Sequence, residues 1–290
     1  MEGILSTLIN GLSLGGIYAM IALGYTMVYG IAKLLNFAHG DIIMVGAYTI
    51  FVFIGISNPI VAVLAAVVFC VLLGITMEKL AYKPLRGASP LAVLITAIGV
   101  SYLLQSLAQI VFGSAPKMVT VYEFGAVNIM GVTVQVASLV TLGVTVLVMV
   151  GLTLFVKYTR TGRAMIAVSE DRGAAQLMGI NVNHIITITF AIGSALAALA
   201  GLFYLLKAPT VTSTLGAMPG IKAFTAAVIG GIGSIPGAML GGILLGMVES
   251  LTGKFEALTP YTDAIEFSIL IIILLVRPSG FLGKKRREKV

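Results

Sequence analysis

Six apolar runs, at residues 4–30, 41–57, 60–82, 91–112, 134–156 and 185–206, dominate this chain of 290 residues. A hydrocarbon core of about 30 Å takes roughly 17 to 25 helical residues to cross, and each run is of that order. Composition agrees: 59% of residues are apolar, only 10% are charged, and the mean hydropathy is +1.09. Soluble domains carry about a quarter of their residues as charges, so the chain is built for a bilayer. Two further runs, 221–234 and 237–251, are apolar but short, and Ser234-Ile235-Pro236-Gly237 between them resists continuous helix. They read as two half-helices. A last run, 264–276, ends against Arg277-Pro278. The expected fold is a single all-α polytopic membrane domain over 1–290, with about eight transmembrane helices and broken or re-entrant half-helices.

Charge then sets topology. Lysine and arginine are costly to translocate, so the loops that carry them stay in the cytoplasm. With the N-terminus outside, fourteen basic residues fall inside, among them Lys33, Lys79, Lys83, Arg86, Arg160, Arg163, Arg172 and the tail of 278–290. Four fall outside: Lys117, Lys207, Lys222 and Lys254. The net charge of +7 is thus a topological signal and does not imply nucleic-acid binding. The tail stays inside only if 221–251 returns to the side it left, as a re-entrant or paired short hairpin. Broken helices at membrane depth persist only where protein or a watery cavity covers the freed backbone, so this hairpin is expected to face protein or a pathway. The N-terminus has no basic region before its first apolar run, which is therefore expected to remain in the mature protein.

Several chemistries find no residues to perform them. One cysteine, Cys70, permits no internal disulfide or CxxC pair, and His39 and His184 stand without acidic residues at metal-ligand spacing. No G-x-x-x-x-G-K-[ST] phosphate loop, H-E-x-x-H or G-x-S-x-G occurs. An enzyme, a metal site and a resident cofactor are not expected. Ion-coupled carriers leave ionisable groups in mid-membrane. Here the apolar centres are nearly free of carboxylates, with Glu78, Glu249 and Glu266 as exceptions. Glu78 reads as a solvated or paired end residue, Glu266 lies near the outer start of the last span, and an interfacial position is favoured for Glu249. What remains is a conduit driven from elsewhere.

Two loops do more than connect. The external one, 113–133, carries a β-branched pattern, Val119 to Phe124 and Val132 to Val134, around Asn128 and Gly131, which reads as a small surface hairpin or a plain connector. The internal one, 157–184, contains an amphipathic segment, 162–181, with Ala164, Val168, Ala174, Ala175, Leu177 and Met178 against Arg163, Glu170, Asp171 and Arg172. Small residues permit close approach and mixed charges fix register, as a helix transmitting force between subunits requires. An internal echo accompanies them: 11–57 and 185–251 each run from a small-residue-rich helix through a break (Asn36 to Asp41, Pro209 to Gly220) into a second apolar run. In the first break Asn36, Phe37, His39 and Gly40 read either as a capped turn or as exposed backbone along a pathway. For Gly231, Gly233, Pro236 and Gly237, close packing at or near a subunit interface is favoured over pathway lining.

The spacing Ala174-Ala175-x-x-x-Gly179 resembles the cytoplasmic coupling loop of ABC importer permeases, with Gly173 where that pattern has glutamate, so that Glu170 or Asp171 would supply the acidic contact. The runs Leu35 to Asp41 and Lys222 to Gly242, with Gly179-Ile180-Asn181 and the chain length, resemble the LivH-type permease of branched-chain amino acid ABC importers over essentially the whole chain. That resemblance implies a bacterial inner-membrane subunit paired with a LivM-like permease, two cytoplasmic ATP-binding subunits and a periplasmic substrate-binding protein. It implies coupling through Arg163, Glu170, Asp171, Ala174, Ala175 and Gly179. Urea or short amides as cargo, or a self-sufficient secondary transporter or channel, are the competing readings.

Overall fold

The computed structural model describes residues 2–129 and 132–283. Among the described residues eleven α-helices run in chain order: α1 (Glu2–Ala32), α2 (His39–Ile54), α3 (Pro59–Met77), α4 (Pro90–Phe112), α5 (Val136–Tyr158), α6 (Arg160–Glu170), α7 (Arg172–Leu177), α8 (Val182–Lys207), α9 (Ala217–Gly230), α10 (Ile235–Thr252) and α11 (Thr262–Val276). A π-turn, Glu78–Tyr82, and a 3-10 turn, Lys83–Leu85, extend α3. Helix starts follow from local chemistry. Asn58, Ser89, Thr159, Asp171, Asn181 and Ser234 each accept a hydrogen bond from a first-turn amide, and proline follows in the first turn after Asn58, Ser89 and Ser234.

Seven described helical stretches are long and apolar enough to cross a membrane, while α2 and α9 are shorter. α1, apolar all round, is the hub, with 89% of its apolar window buried, against 6% for α11 at the periphery. Glycines bring α10 onto it backbone to backbone. A Cβ on Gly15 would lie 2.7 Å from the Cα of Ile243, and one on Gly242 2.8 Å from the Cβ of Ala19. Gly246→Leu is therefore expected to force α1 and α10 apart, because a Cβ there already meets the Gly11 carbonyl oxygen at 2.7 Å. Overpacking of this kind costs about 1–3 kcal/mol or more, read as a lowered Tm of the solubilised protein, with Gly143→Leu, which meets nothing, as the silent control.

The two breaks meet inside the bundle. His39 packs against Gly24, eight residues before the end of α1, so α2 begins about 12 Å inside that end. From there α2 rises to stack Tyr48 on Phe112, the last residue of α4, with ring centroids 4.3 Å apart. α9 starts at the same level, since a Cβ on Gly220 would lie 3.0 Å from the Cα of Gly40, and runs the opposite way towards Gly30 and Gly283. The echo noted in the sequence thus corresponds to two short helices that begin back to back at mid-depth and diverge. Most of α2 and much of α9 are buried, as broken helices in lipid require.

Three expectations need correction. The run 41–57 does not cross: α2 has 16 residues and starts at mid-depth, because residues 33–38 turn back into the bundle. The run 237–251 is no half-helix: α10 starts at Ile235, where Ser234 caps it, and its 18 residues span the bundle. The segment 162–181 is not one helix: the extended backbone at Asp171, whose carboxylate accepts from the Ala174 amide at 3.0 Å, breaks it into α6 and α7.

Opposite the α6–α7 end the described residues form four short strands, β1 (Lys117–Met118), β2 (Ala126–Ile129), β3 (Val132–Gln135) and β4 (Thr210–Val211). β2 and β3 form an antiparallel hairpin pairing Asn128 with Thr133, while Gly131 at its tip lies outside the described residues. The segment Val119 to Phe124 is not its partner strand. β1 pairs instead with β4, and the Val119 amide donates to the Pro209 carbonyl at 3.0 Å, tying this loop to the second break.

Candidate functional site

Three groups of polar side chains stand out against the apolar bundle. The first surrounds the central break. The Tyr82 hydroxyl donates to Asn36 Oδ1 at 2.6 Å, and Gln105 donates to Asp41 Oδ1 at 2.9 Å. Gln109 donates to Ser213 at 3.1 Å, joining α4 to the second break. His39 lies edge-on to Tyr25 at 4.7 Å, and Phe224 of α9 packs against both Tyr25 and Phe37, at 5.8 and 5.3 Å. Asn36 and His39 are buried, yet Asn36 Nδ2 and His39 Nε2 have no hydrogen-bond partner among the described residues. Tyr25, Tyr29, Leu34, Asn36 and Phe224 line a narrow cleft here. The four residues singled out at this break, Asn36, Phe37, His39 and Gly40, are brought together.

The glycine-rich turn divides. Gly231 and Gly237 are buried, Gly231 against Gly283 and Gly237 against Gly230, so their space is used within the chain. Gly233 and Pro236 are exposed. Gly231 and Gly233 take φ of 104° and 95°, values that favour glycine, which is why the turn admits no other residue cheaply.

The second group was not legible in the sequence. Lys222, counted there among the basic residues outside, sits on α9 with its side chain only 8% exposed. Its ammonium lies 2.8 Å from Glu249, 2.9 Å from Asp263 and 3.1 Å from Glu266, binding α9, α10 and α11 together. Tyr18 of α1 adds a 2.7 Å hydrogen bond to Glu249. Glu266 is fully buried, one turn from the start of α11 and so near the start of the last span, as expected. A lysine within an otherwise apolar helix was the available signal, since such a residue needs a partner.

The third group is the α6–α7 end. Met165 and Val168 bury one face of α6, and Gly162 lies against the last turn of α5. α7 closes on Gly179, left-handed at φ 82°, with Ile180 N donating to the Ala175 carbonyl at 3.0 Å, a Schellman-type stop. Arg163, Glu170, Asp171, Ala174 and Gly179 are exposed, whereas Ala175 is buried against the chain's own body. Leu177 and Met178 project from the tip, 90% and 82% exposed. Behind α7, the Arg172 guanidinium donates to the carbonyls of Ile31 and Ala32, the last of α1. Arg86 pairs with buried Glu78 and donates to Asn183, and Thr187 donates to Glu78 at 2.7 Å. Partial burial, and then the neighbouring Arg86 charge, hold the Arg172 pKa below its ordinary value.

Residues 7–274 match the family model described as branched-chain amino acid transport system / permease component. The chain is 44% identical to the high-affinity branched-chain amino acid transport system permease protein BraD of Pseudomonas aeruginosa, over 99% of this chain and 98% of that protein. It is 42% identical to the corresponding permease protein LivH of Escherichia coli K12, over 99% and 97%. A probable branched-chain amino acid transport permease protein LivH of Methanocaldococcus jannaschii is 30% identical over 91% of this chain and 88% of its own length. A multi-pass helical bundle matched end to end in this way leaves one assignment: the chain belongs to the branched-chain amino acid transport system permease family.

Proposed function

We propose that this chain is a membrane-crossing subunit of an ATP-driven importer of branched-chain amino acids, with ATP hydrolysis in separate subunits. The observation that carries the reading is end-to-end similarity to permeases of that system. It is supported by the exposed tip of α7, an apolar pair at the end of a bundle that offers no nucleotide motif. In this reading the α6–α7 end faces the cytoplasm and the N-terminus faces outward, as the basic residues require. Two ATP-binding subunits dock on α6 and α7, a LivM-like permease completes the pathway, and a periplasmic binding protein delivers substrate to the strand-bearing end. Movement of α7 then switches the central break between outward and inward access.

Reconstitution tests this. Proteoliposomes holding this chain, its permease partner, the ATPases and the binding protein are expected to accumulate radiolabelled leucine only with internal ATP. Liposomes with the ATPases omitted are expected to show none. Uptake by this polypeptide alone overturns the reading, and accumulation of urea in place of leucine reassigns the cargo.

A further inference from the structure

α7 has only six residues, and the chain changes direction at both its ends: extended backbone at Asp171 on one side, left-handed Gly179 on the other. A helix so short, set off from its neighbours by a turn at each end, can move as a body when a partner pushes it. Its own packing against the bundle rests on Ala175, its one buried side chain. The longer reach is made by Arg172. The guanidinium stretches past the polar cleft it shares with Arg86, Gln176 and Asn181 and donates to the carbonyls of Ile31 and Ala32. Those carbonyls are among the four that any helix leaves without intrahelical partners, and they carry the negative end of its dipole. A charged donor there makes a bond about twice as strong as a neutral one. Four residues beyond Ala32 lies Asn36, held by Tyr82, and seven beyond lies His39, seated on Gly24.

We propose that Arg172 is the positioning residue that passes displacement of α7 to the end of α1, and through residues 33–38 to the central break. The inference rests on reading α7 as the helix on which the ATPases dock. Arg86 lies on the far side of the same cleft and ties the end of α3 to the start of α8 through Glu78, Asn183 and Thr187. The two arginines therefore grip different helices. Arg172 holds the helix that leads into the break, and like-charge repulsion keeps the two grips apart.

The full complex, with both permeases, the ATPases and the binding protein, carries the test. Arg172→Ala is expected to leave co-purification of the ATPases and basal ATP hydrolysis intact, because the exposed face of α7 is unaltered. Leucine imported per ATP hydrolysed should fall about tenfold, the scale of a typical coupling energy. Arg172→Lys should restore much of it, since an ammonium still donates to the same carbonyls. An unchanged import-to-hydrolysis ratio in Arg172→Ala overturns the proposal, as does loss of the ATPases from the complex, which would make the residue a docking contact. A second measurement leaves Arg172 in place: spin labels at Gly173 and Lys33 should keep a constant separation between nucleotide states while α7 shifts relative to α5. A separation that changes between states overturns the proposal. If the unmodified complex itself shows no ATP-dependent import, the functional reading fails, and the label distances still report on the link.

Discussion

Lys222→Met is expected to be the most damaging single substitution in the bundle. The lysine is shared by three carboxylates, and without it Glu266, fully buried, must hold a charge with no counter-ion or take up a proton. Removing one partner of a buried ion pair costs about 3–5 kcal/mol, most of it the desolvation of the group left behind. α9, α10 and α11 lose their common tie, so the solubilised protein should melt at markedly lower temperature and elute as aggregate. Adding Glu266→Gln to that variant removes the orphaned charge and should recover much of the loss. Glu249 and Asp263 retain access to water, with 28% and 50% of their side chains exposed, and need no such rescue. A Lys222→Met protein that melts like the wild type would show that the cluster does not hold the three helices.

The second large effect is expected at the tip of α7. Leu177→Asp with Met178→Asp should abolish co-purification of the ATPases while leaving insertion and Tm unchanged. Both side chains are almost wholly exposed, so the charges cost the isolated subunit little. Buried against a partner, each would count among the few anchors that lose about 2 kcal/mol or more on truncation. The pair together then weakens association by roughly a thousandfold. Ala175→Glu makes the contrast. Ala175 is 4% exposed and faces the bundle, so a carboxylate there should lower the Tm of the subunit itself. Normal recovery of the ATPases with the Leu177/Met178 double variant would remove α7 as the docking element.

Much of this architecture was legible because its signals are local. Apolar length marked the crossings, while the caps at Asn58, Ser89, Asn181 and Ser234, local signals too, became evident only with the structure. The paired breaks were legible as an echo, though not their meeting point, since nothing in the sequence brings Gly40 to Gly216 and Gly220. Length misled at 41–57, where an apolar run long enough to cross begins instead at mid-depth. The split at Asp171 had a signal, a capping residue three positions before Ala174, which the amphipathic pattern across 162–181 obscured. Lys222 was assigned by its sign alone. Its true setting depends on Glu249, Asp263 and Glu266, up to 44 positions away in sequence, and only the packing of α9 between α10 and α11 brings them together. The same holds for Arg172, whose partners are main-chain oxygens that no side-chain pattern reveals.

The contact of Gly40 with Gly216 and Gly220 has a mechanical consequence. Side chains between two elements absorb a push by changing rotamer, and between Gly40, Gly216 and Gly220 the nearest contacts are main-chain atoms, with the Tyr25 hydroxyl beside them. Main chain presses directly on main chain at the centre of the molecule. A nudge given to one short helix therefore has a main-chain route to the other, so the outward-running and inward-running arms share a fulcrum.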